Sequence, residues 1–313
     1  MSRKIPFNLS NILEIKNIVK NYANHLALDD VSISVPQGII FGLLGPNGAG
    51  KTSLIRIINQ ITAPDSGTIL IDGEPLSQKH IYDIGYLPEE RGLYKKMKVG
   101  EHLLYLARLK GLSKADAMDK LKEWFIKFDI KTWWDRPVEE LSKGMQQKIQ
   151  FVATVLHKPK ILILDEPFSG FDPINANIIK DEILELKKNG STIIFSTHRM
   201  ESVEELCDQV ALINKSQKIL DGSKEALKEQ FKTNTFQLSF KGNLKEDKEV
   251  YSILETSEHE NGTSSGLIKL KDGVSSNAMI NRLMDQVELM GFNERIPNMN
   301  DIFIAAVNAE NAN

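Results

Sequence analysis

Eight residues of this chain have the types and the spacing of a loop that binds phosphate. They run from Gly45 to Thr52 as G-P-N-G-A-G-K-T, directly after the apolar run 39–44. The glycines let the backbone curl so that successive N–H groups converge on one point, and a helix starting at Lys51 adds the positive end of its dipole. A glycine-rich turn without a ligand is the alternative. The strand-like run before the loop and the helix-compatible residues after it favour a nucleoside triphosphate site.

Two side chains of this loop carry the chemistry. Lys51 can reach the terminal phosphates, and Thr52 offers a hydroxyl to Mg²⁺. The residues of the loop that we expect to contact a nucleotide are Gly45, Pro46, Asn47, Gly48, Ala49, Gly50, Lys51, Thr52 and Ser53.

Two carboxylates follow another apolar run. Asp165 and Glu166 come directly after residues 161–164, which read I-L-I-L. This order places both acids at the carboxyl end of a buried strand, beside the phosphate loop. One carboxylate can bind Mg²⁺ through its water shell, and the next can accept a proton from an attacking water or orient it.

The apolar patterns predict which elements hold these residues. Period-two alternation predicts strands at 13–15 and 31–35, whereas uninterrupted apolar runs at 161–164 and 192–195 are typical of parallel strands buried on both faces. Residues of about 92–158 have apolar side chains at helical spacing, which predicts a helical insertion.

The composition changes again past about Gly222, where charged and polar residues become frequent. Alternation predicts strands at 236–240 and 267–270, and residues 278–287 have a helical pattern. Nearer the N-terminus, a helix is predicted at 178–188, between the strands predicted at 161–164 and 192–195.

Composition limits the classes of function. The 313 residues include 39 basic and 42 acidic side chains, a formal charge of −3, which argues against a nucleic-acid-binding surface. Cys207 is the only cysteine, which excludes an internal disulfide or a multi-cysteine metal site and fits a reducing cytoplasm. No apolar run approaches the roughly 18 residues that cross a bilayer. We expect a soluble chain that reaches a membrane only through a partner.

The remaining histidines have no ligand spacing. We expect them to be surface or packing residues; they are His25, His80, His102, His157 and His259.

Five motifs stand in a fixed order along the chain. The phosphate loop is followed by the run 141–147 (L-S-K-G-M-Q-Q), the two carboxylates, the run 169–172 (S-G-F-D) and the run 196–198 (S-T-H). This order resembles the ATP-binding-cassette (ABC) ATPases over roughly residues 12–222. The resemblance implies a P-loop NTPase core of α/β class with an antiparallel β edge and a helical insertion, with ATP and Mg²⁺ as cofactors.

The resemblance also implies catalytic and metal-binding roles. Lys51 matches the phosphate contact, Glu166 the catalytic base, and His198 the switch histidine that senses the γ-phosphate. Thr52 and Asp165 match the Mg²⁺ ligands.

Four further residues match nucleotide contacts of that family. Tyr22 stands where an aromatic residue stacks on adenine, with a merely packed tyrosine as the alternative. Ser142 and Gly144 match the signature that contacts the ATP held by the opposite subunit. Asp172 matches the aspartate that couples the two sites.

The chain departs from the family pattern at two places. The signature usually reads L-S-G-G-Q, whereas Lys143 and Met145 occupy its third and fifth positions here. A glutamine that normally touches Mg²⁺ is replaced by Glu89, which can still bind the metal. The alternative is that the charged run 89–91 is only a solvated loop.

These comparisons of motifs give an expected organisation. We expect an N-terminal tail over 1–11, an ABC ATPase domain over 12–222 with its helical insertion at about 92–158, and a C-terminal α+β accessory domain over 223–313. The run 85–94 (G-Y-L-P-E-E-R-G-L-Y) with that appendage resembles the Nat-type sodium-export branch.

The resemblance implies an ATP-hydrolysing subunit that powers export through a separately encoded, multi-span membrane permease. We expect a homodimer without nucleic acid, cytoplasmic and peripheral on the inner face of the membrane. Leu93, Tyr94 and Met97 could form an apolar socket for the permease, with interior packing as the alternative. A soluble ABC ATPase acting on ribosomes or DNA is the rival function, and a slowly hydrolysing regulatory subunit is a third.

Overall fold

The computed structural model describes residues 10–90, 92–259 and 262–312. It divides into two compact units, one formed by 1–224 with 306–313 and one by 225–305. Most of the predicted N-terminal tail lies outside the described residues, and strand β1 already begins at Asn11.

The first unit contains the predicted α/β elements. Its strands are β1 (Asn11–Tyr22), β2 (His25–Pro36), β3 (Ile40–Leu44), β4 (Ser66–Ile71), β5 (Glu74–Pro75), β6 (Ile84–Leu87), β7 (Ile161–Asp165), β8 (Thr192–Thr197), β9 (Gln209–Asn214) and β10 (Gln217–Ser223). Its helices are α1 (Lys51–Ile58), α2 (Val99–Leu109), α3 (Lys114–Lys127), α4 (Lys143–Val155), α5 (Pro173–Lys188) and α6 (Met200–Leu206).

Two sheets make up this unit. The larger has the order β10-β9-β3-β8-β7-β6, in which β9, β3, β8, β7 and β6 run parallel and β10 pairs antiparallel with β9. Every residue of β3, β7 and β8 is buried, as expected for central parallel strands covered on both faces. The smaller sheet, β2-β1-β4-β5, is antiparallel and forms the expected antiparallel part of the core.

The helical insertion lies between β6 and β7 and consists of α2, α3 and α4 with short 3₁₀ turns at Lys131–Trp133 and Val138–Glu140. The fold class is therefore confirmed for this unit. Helix α5 begins five residues earlier than predicted, because Asp172 caps its first turn and Pro173 occupies its first position.

The second unit has the predicted α+β character. Its elements are β11 (Thr235–Lys241), β12 (Tyr251–Glu258), β13 (Ser264–Leu270), α8 (Ser276–Met284) and β14 (Glu288–Glu294). The sheet is antiparallel with the order β12-β13-β11-β14. Helix α8 ends at Met284, three residues before the predicted end, and Val287 packs into the core of this unit from the following turn.

Two helices stand at the borders of the units. They are α7 (Lys224–Gln230) and α9 (Met299–Ala312).

No helix among the described residues is both long and apolar enough to cross a membrane. Cys207 is buried, and burial raises the pKa of its thiol to about 12, so this cysteine is an apolar packing residue.

Candidate functional site

A cavity of about 350 Å³ lies at the carboxyl ends of β3, β7 and β8. This position follows from the topology, because the phosphate loop, the two carboxylates and the 196–198 motif each end one of three adjacent parallel strands. The residues that line the cavity are Tyr22, His25, Ala27, Asn47, Gly48, Gly50, Lys51, Thr52, Ser53, Glu89, Asp165, Glu166 and His198. The fold thus brings together residues that are up to 176 positions apart along the chain.

The phosphate loop needs its glycines for steric reasons at both ends. A Cβ atom on Gly45 would lie 2.1 Å from the carbonyl oxygen of Ile213, and one on Gly50 would lie 2.3 Å from that of Ala27. Both glycines also have positive φ angles, 149° and 115°. The loop therefore packs closely against β9 on one side and β2 on the other. This packing fixes the direction of its N–H groups.

Lys51 is the first residue of α1 and is only 8% exposed. Its Nζ donates to the carbonyl oxygens of Gly45 (2.7 Å) and Pro46 (3.0 Å). Burial lowers the pKa of the ammonium, and the charges of Glu166, Asp165 and Glu89 oppose that shift. The cation is thus held above the loop by backbone carbonyls and faces the acidic side of the cavity.

Glu166 is oriented by the end of strand β8. Its Oε1 accepts from the backbone N–H of His198 (2.9 Å) and lies 2.7 Å from Nδ1 of the same residue. Because a carboxylate only accepts, Nδ1 must carry the proton in this pair. Thr197 Oγ1 donates to Oε2 over 3.3 Å. Glu166 also has a positive φ of 49°, a strained backbone conformation of the kind that clusters at functional sites.

Asp165 ends β7 and is 3% exposed. Burial raises the pKa of its carboxyl, and the nearby charges of Glu89 and Glu166 raise it further, while Lys51 lowers it. Glu89, which replaces the usual glutamine, thus adds a third carboxylate beside two others in a cavity with one ammonium. A divalent cation would relieve this repulsion.

The donor set fits Mg²⁺ shared with phosphate oxygens. Thr52, Asp165 and Glu89 offer only oxygen ligands, which Mg²⁺ prefers, and Mg²⁺ usually takes one or two carboxylates together with substrate phosphates. Within residues 10–90, 92–259 and 262–312, no group of three or more His, Cys, Asp or Glu side chains is arranged to hold a metal ion by itself.

The β1–β2 hairpin supplies the far wall of the cavity. Tyr22 and His25 are cross-strand partners next to the turn, and both line the cavity. Tyr22 is partly exposed, and Lys20 Nζ lies 5.4 Å from the centre of its ring. His25, which the sequence predicts to be a surface or packing residue, is exposed and in addition lines this cavity. Its position on the cavity wall was missed, and the signal that was available is its place three residues after Tyr22 across a hairpin turn.

Six predicted nucleotide contacts are not among the residues that line this cavity. Three of them, Gly45, Pro46 and Ala49, belong to the phosphate loop itself, and the other three are Ser142, Gly144 and Asp172. Ser142 caps α4, where its hydroxyl accepts from the N–H of Met145, and Asp172 caps α5. Gly144 is close to the 169–172 run: a Cβ atom there would lie 3.9 Å from the carbonyl oxygen of Gly170. The signature run and the Asp172 run are therefore neighbours on one surface of the unit.

A second cavity, of about 640 Å³, lies between the core and the helical insertion; we call it the insertion groove. Its apolar lining consists of Ile61, Ile81, Tyr82, Tyr86, Pro88, Leu93, Leu106, Leu109 and Ala153. Of the three residues expected to form a socket here, Leu93 lines the groove. Tyr94 instead makes edge-to-face contacts with His102 and Tyr105, and Met97 also lies outside the described lining.

One loop serves both cavities. Glu89 lines the nucleotide-sized cavity, whereas Pro88 and Leu93 line the insertion groove. Helix α4 holds this loop, since Gln150 Nε2 donates to the carbonyl oxygen of Pro88 (3.3 Å). Glu89, on the nucleotide-sized cavity, is therefore directly bonded along the chain to a residue that lines the groove.

Comparison with known proteins assigns both units to described families. Residues 28–169 match the family described as "ABC transporter", and residues 222–307 match "ATP-binding protein DrrA1-3-like, C-terminal domain". The chain is 39% identical over 298 residues to YhaQ of Bacillus subtilis, described as an uncharacterized ABC transporter ATP-binding protein, covering 95% of this chain and 99% of YhaQ.

Other relatives match about 70% of this chain. The ABC transporter ATP-binding protein NatA of Bacillus subtilis is 36% identical over 224 residues, covering 70% of this chain and 90% of NatA. The linearmycin resistance ATP-binding protein LnrL of the same organism is 34% identical over 219 residues, covering 69% of this chain and 70% of LnrL.

Solved structures also resemble about 70% of this chain. The ATP-binding subunit of an ABC transporter superposes with a TM-score of 0.66 at 31% identity, covering 70% of this chain and 93% of that one. CbiO1 of Clostridium perfringens, part of the ABC transporter complex cbiONQ, gives a TM-score of 0.61 at 29% identity, covering 70% and 92%.

Proposed function

This chain belongs to the ATP-binding proteins of ABC transporters, ATPases that hydrolyse ATP to power transport, and we propose that it drives export through a separately encoded membrane permease. The observation that carries the proposal is the loop that joins two cavities: Glu89 faces the phosphate loop, while Pro88 and Leu93 of the same loop face the insertion groove. A loop so placed can report the state of the nucleotide to whatever protein occupies the groove.

In the nucleotide cavity, we assign the phosphate oxygens to the N–H groups of the loop and to Lys51. Tyr22 stacks on the adenine. Thr52, Asp165 and Glu89 would hold Mg²⁺, which would neutralise charge on the phosphates. These assignments rest on the shared lining of one cavity and on the matching motifs.

Hydrolysis needs a positioned water and a proton acceptor. Glu166 accepts the proton of the attacking water on its carboxylate. His198 and Thr197 hold that carboxylate in one orientation through hydrogen bonds from β8. His198, whose side chain is 57% exposed, can donate from Nε2 to a γ-phosphate oxygen while Nδ1–H remains on Glu166 when its ring is the doubly protonated imidazolium.

The three predicted contacts that lie outside both the cavity lining and the phosphate loop suit a second subunit. Ser142, Gly144 and Asp172 are on the surface near one another, which supports a head-to-tail homodimer in which they face the ATP held by the partner. Lys143 and Met145 do not replace the serine or the second glycine of the signature. Closing on ATP and reopening after hydrolysis gives the permease a two-state element to follow.

The insertion groove is the proposed docking site for the permease, which places the chain on the cytoplasmic face of the membrane. Its apolar lining suits a helical segment of such a partner. Export is supported by relatives whose names specify it: one is a Nod factor export ATP-binding protein of Cupriavidus metallidurans. Sodium is the cargo suggested by the resemblance of run 85–94 to the Nat-type branch.

We also propose the domain division 12–222 and 223–313, with the second part as an accessory domain. The border between the two compact units, after Lys224, and the start of the second family match at 222 support the boundary near 222, whereas the residues from 306 onward group with the first unit.

The test is to identify the protein that binds this chain in the cell. Gentle solubilisation of membranes should recover it with a multi-span protein. Leu93→Glu should release it while basal ATP hydrolysis by the isolated chain stays unchanged, because Leu93 lines the groove and not the nucleotide cavity. Ile126→Glu, on the exposed surface of α3, is the matched control. Recovery only with ribosomes or DNA would contradict the proposal and favour the rival function.

A further inference from the structure

His25 occupies a defined position on the wall of the nucleotide cavity. It is the cross-strand partner of Tyr22, and only Ala23 and Asn24 separate the two along the chain. Both side chains line the cavity together with the phosphate loop. We infer that His25 is a second contact for the nucleoside half of ATP, which it binds by a hydrogen bond from or to its imidazole ring. This inference rests on the proposed nucleotide site.

The cavity lining and the residue next to it show which way His25 faces. His25 and Ala27 both line the cavity, although the β1–β2 register shifts at Ala27, so strict alternation does not extend from His25 to that residue. Leu26, between them, lies on the opposite face, is 39% exposed and is not part of the described lining. The hairpin therefore presents His25, and not its neighbour, to the ligand.

The position of His25 along the hairpin, relative to the phosphate loop, is also defined. A Cβ atom on Gly50 would lie 2.3 Å from the carbonyl oxygen of Ala27, so β2 is in tight contact with the loop at Ala27. His25 lies two residues nearer the hairpin turn, away from this contact. The phosphates are assigned to the loop and Lys51. His25 therefore lies beside the nucleoside part of the nucleotide.

The register gives the same position. Directly opposite residues of an antiparallel pair have Cβ atoms roughly 5 Å apart and point to the same face. Because Tyr22 and His25 are such a pair, a base that stacks on Tyr22 has the imidazole of His25 at its side. The two rings thus form one wall for the nucleoside.

The chemistry of His25 suits this role. A neutral imidazole has one N–H donor and one acceptor nitrogen, while the ribose hydroxyls and the edge of adenine offer both kinds of partner. Among the described residues, no side-chain hydrogen bond or ion pair involves His25. Its ring nitrogens are therefore not committed to any residue that the structure describes.

The experiment compares two probes, ATP and inorganic tripolyphosphate, in calorimetric titrations of the full chain. His25→Ala should weaken ATP binding about fivefold, the effect of losing one ordinary hydrogen bond, and should leave tripolyphosphate binding unchanged. Leu26→Ala, on the other face of β2, is the matched control and should change neither. His25→Gln should recover part of the ATP affinity, because the amide also donates and accepts.

Several results would overturn the inference. They are unchanged ATP affinity in His25→Ala, an equal loss of tripolyphosphate binding, or a His25→Gln variant as weak as His25→Ala. Lys51→Ala separates this failure from that of the nucleotide site itself. If Lys51→Ala weakens both probes and His25→Ala weakens neither, the nucleotide site stands and only the role of His25 falls.

Discussion

Nδ1 of His198 lies 2.7 Å from Oε1 of Glu166, and the backbone N–H of His198 donates to the same oxygen over 2.9 Å. The orientation of Glu166, the proposed base that directly follows β7, is therefore set by the residue that follows the neighbouring strand β8. This arrangement depends on strand order, since β7 and β8 are adjacent and parallel with Asp165 in register with Ser196.

His198→Ala should reduce the rate of ATP hydrolysis about 100-fold, the lower end of what positioned acid–base groups contribute. ATP affinity should fall at most about fivefold, the effect of losing one hydrogen bond to the γ-phosphate, because the phosphate loop is untouched. Steady-state phosphate release and calorimetric titration with ATP measure the two quantities. His259→Ala, in the second unit, is the control and should hydrolyse ATP normally. A loss of affinity with an unchanged rate would contradict the assigned role.

Lys51→Ala should weaken ATP binding by at least about tenfold and stop hydrolysis. The variant removes the charge-assisted hydrogen bonds to phosphate, each of which is worth about 1.5–3 kcal/mol. Equilibrium titration with ATP tests this. Arg56→Ala is the matched control, since Arg56 is an exposed cation in the last turn of the same helix. Equal affinity in the Lys51 variant and the wild type would remove the phosphate-loop assignment.

A buried carboxylate in the first unit gives a prediction for stability. Lys127 on α3 pairs over 2.7 Å with both Glu182 and Glu185 on α5, and Glu182 is 6% exposed. Burial raises the pKa of the Glu182 carboxyl, and Lys127 opposes that shift. Lys127→Met should therefore lower the free energy of unfolding by about 1–2 kcal/mol at neutral pH, less than for a fully buried pair because Lys127 is partly exposed.

The pH dependence of that loss has a defined sign. A carboxyl whose pKa is raised in the folded state binds more protons folded than unfolded, so it costs stability once pH rises through the raised pKa. Without Lys127, the loss of stability caused by ionising the buried Glu182 is larger. The difference between Lys127→Met and wild type, measured by urea denaturation, should therefore be smaller near pH 4.5 than at pH 7.5. Lys122→Met, which breaks an exposed pair with Asp119, should show almost no loss at either pH. A loss that grows on acidification would contradict the argument.

The end of helix α9 returns to the first unit. Nδ2 of Asn214, which ends β9, donates to Oε2 of Glu310. A chain that ends after Lys224 should still bind ATP within about twofold of the wild type, because every cavity-lining residue precedes it. It should be less stable by about 1 kcal/mol, since the buried amide of Asn214 loses a partner.

Glu310→Ala in the full chain separates the two effects of that truncation. It should reproduce the loss of stability in thermal denaturation and keep ATP affinity. Absence of ATP binding in a truncated chain with a native circular dichroism spectrum would show that the second unit takes part in the nucleotide site.

Much of the fold and of the site was predictable because the signals are local. The phosphate loop, the β7 carboxylates and the buried strand runs each carry their own pattern, and parallel strands bring their carboxyl ends together. Glu89 needed the family pattern, since a charged loop residue has no periodicity of its own. His25 was missed because its place on the cavity wall depends on cross-strand register, which one strand does not reveal.

The socket at 93–97 was predicted only in part for a similar reason. Leu93, Tyr94 and Met97 are all apolar neighbours in the chain, but Tyr94 turns toward His102 and Tyr105 while Leu93 turns into the groove. The other groove residues come from α2, α4, β6 and the segments that follow α1 and precede β6, with His157 just after α4, and only tertiary packing brings them together.

The central claim is that Glu166 is the proton acceptor in ATP hydrolysis, and steady-state phosphate release by Glu166→Gln tests it most directly. The amide keeps the shape of the side chain and loses the acceptor, so turnover should fall at least about 100-fold while ATP binding in calorimetric titration is retained and ATP-bound dimers accumulate in size-exclusion chromatography. Glu90→Gln, the exposed neighbour of Glu89, should hydrolyse ATP at the wild-type rate. A Glu166→Gln variant that hydrolyses ATP at close to the wild-type rate would contradict the account.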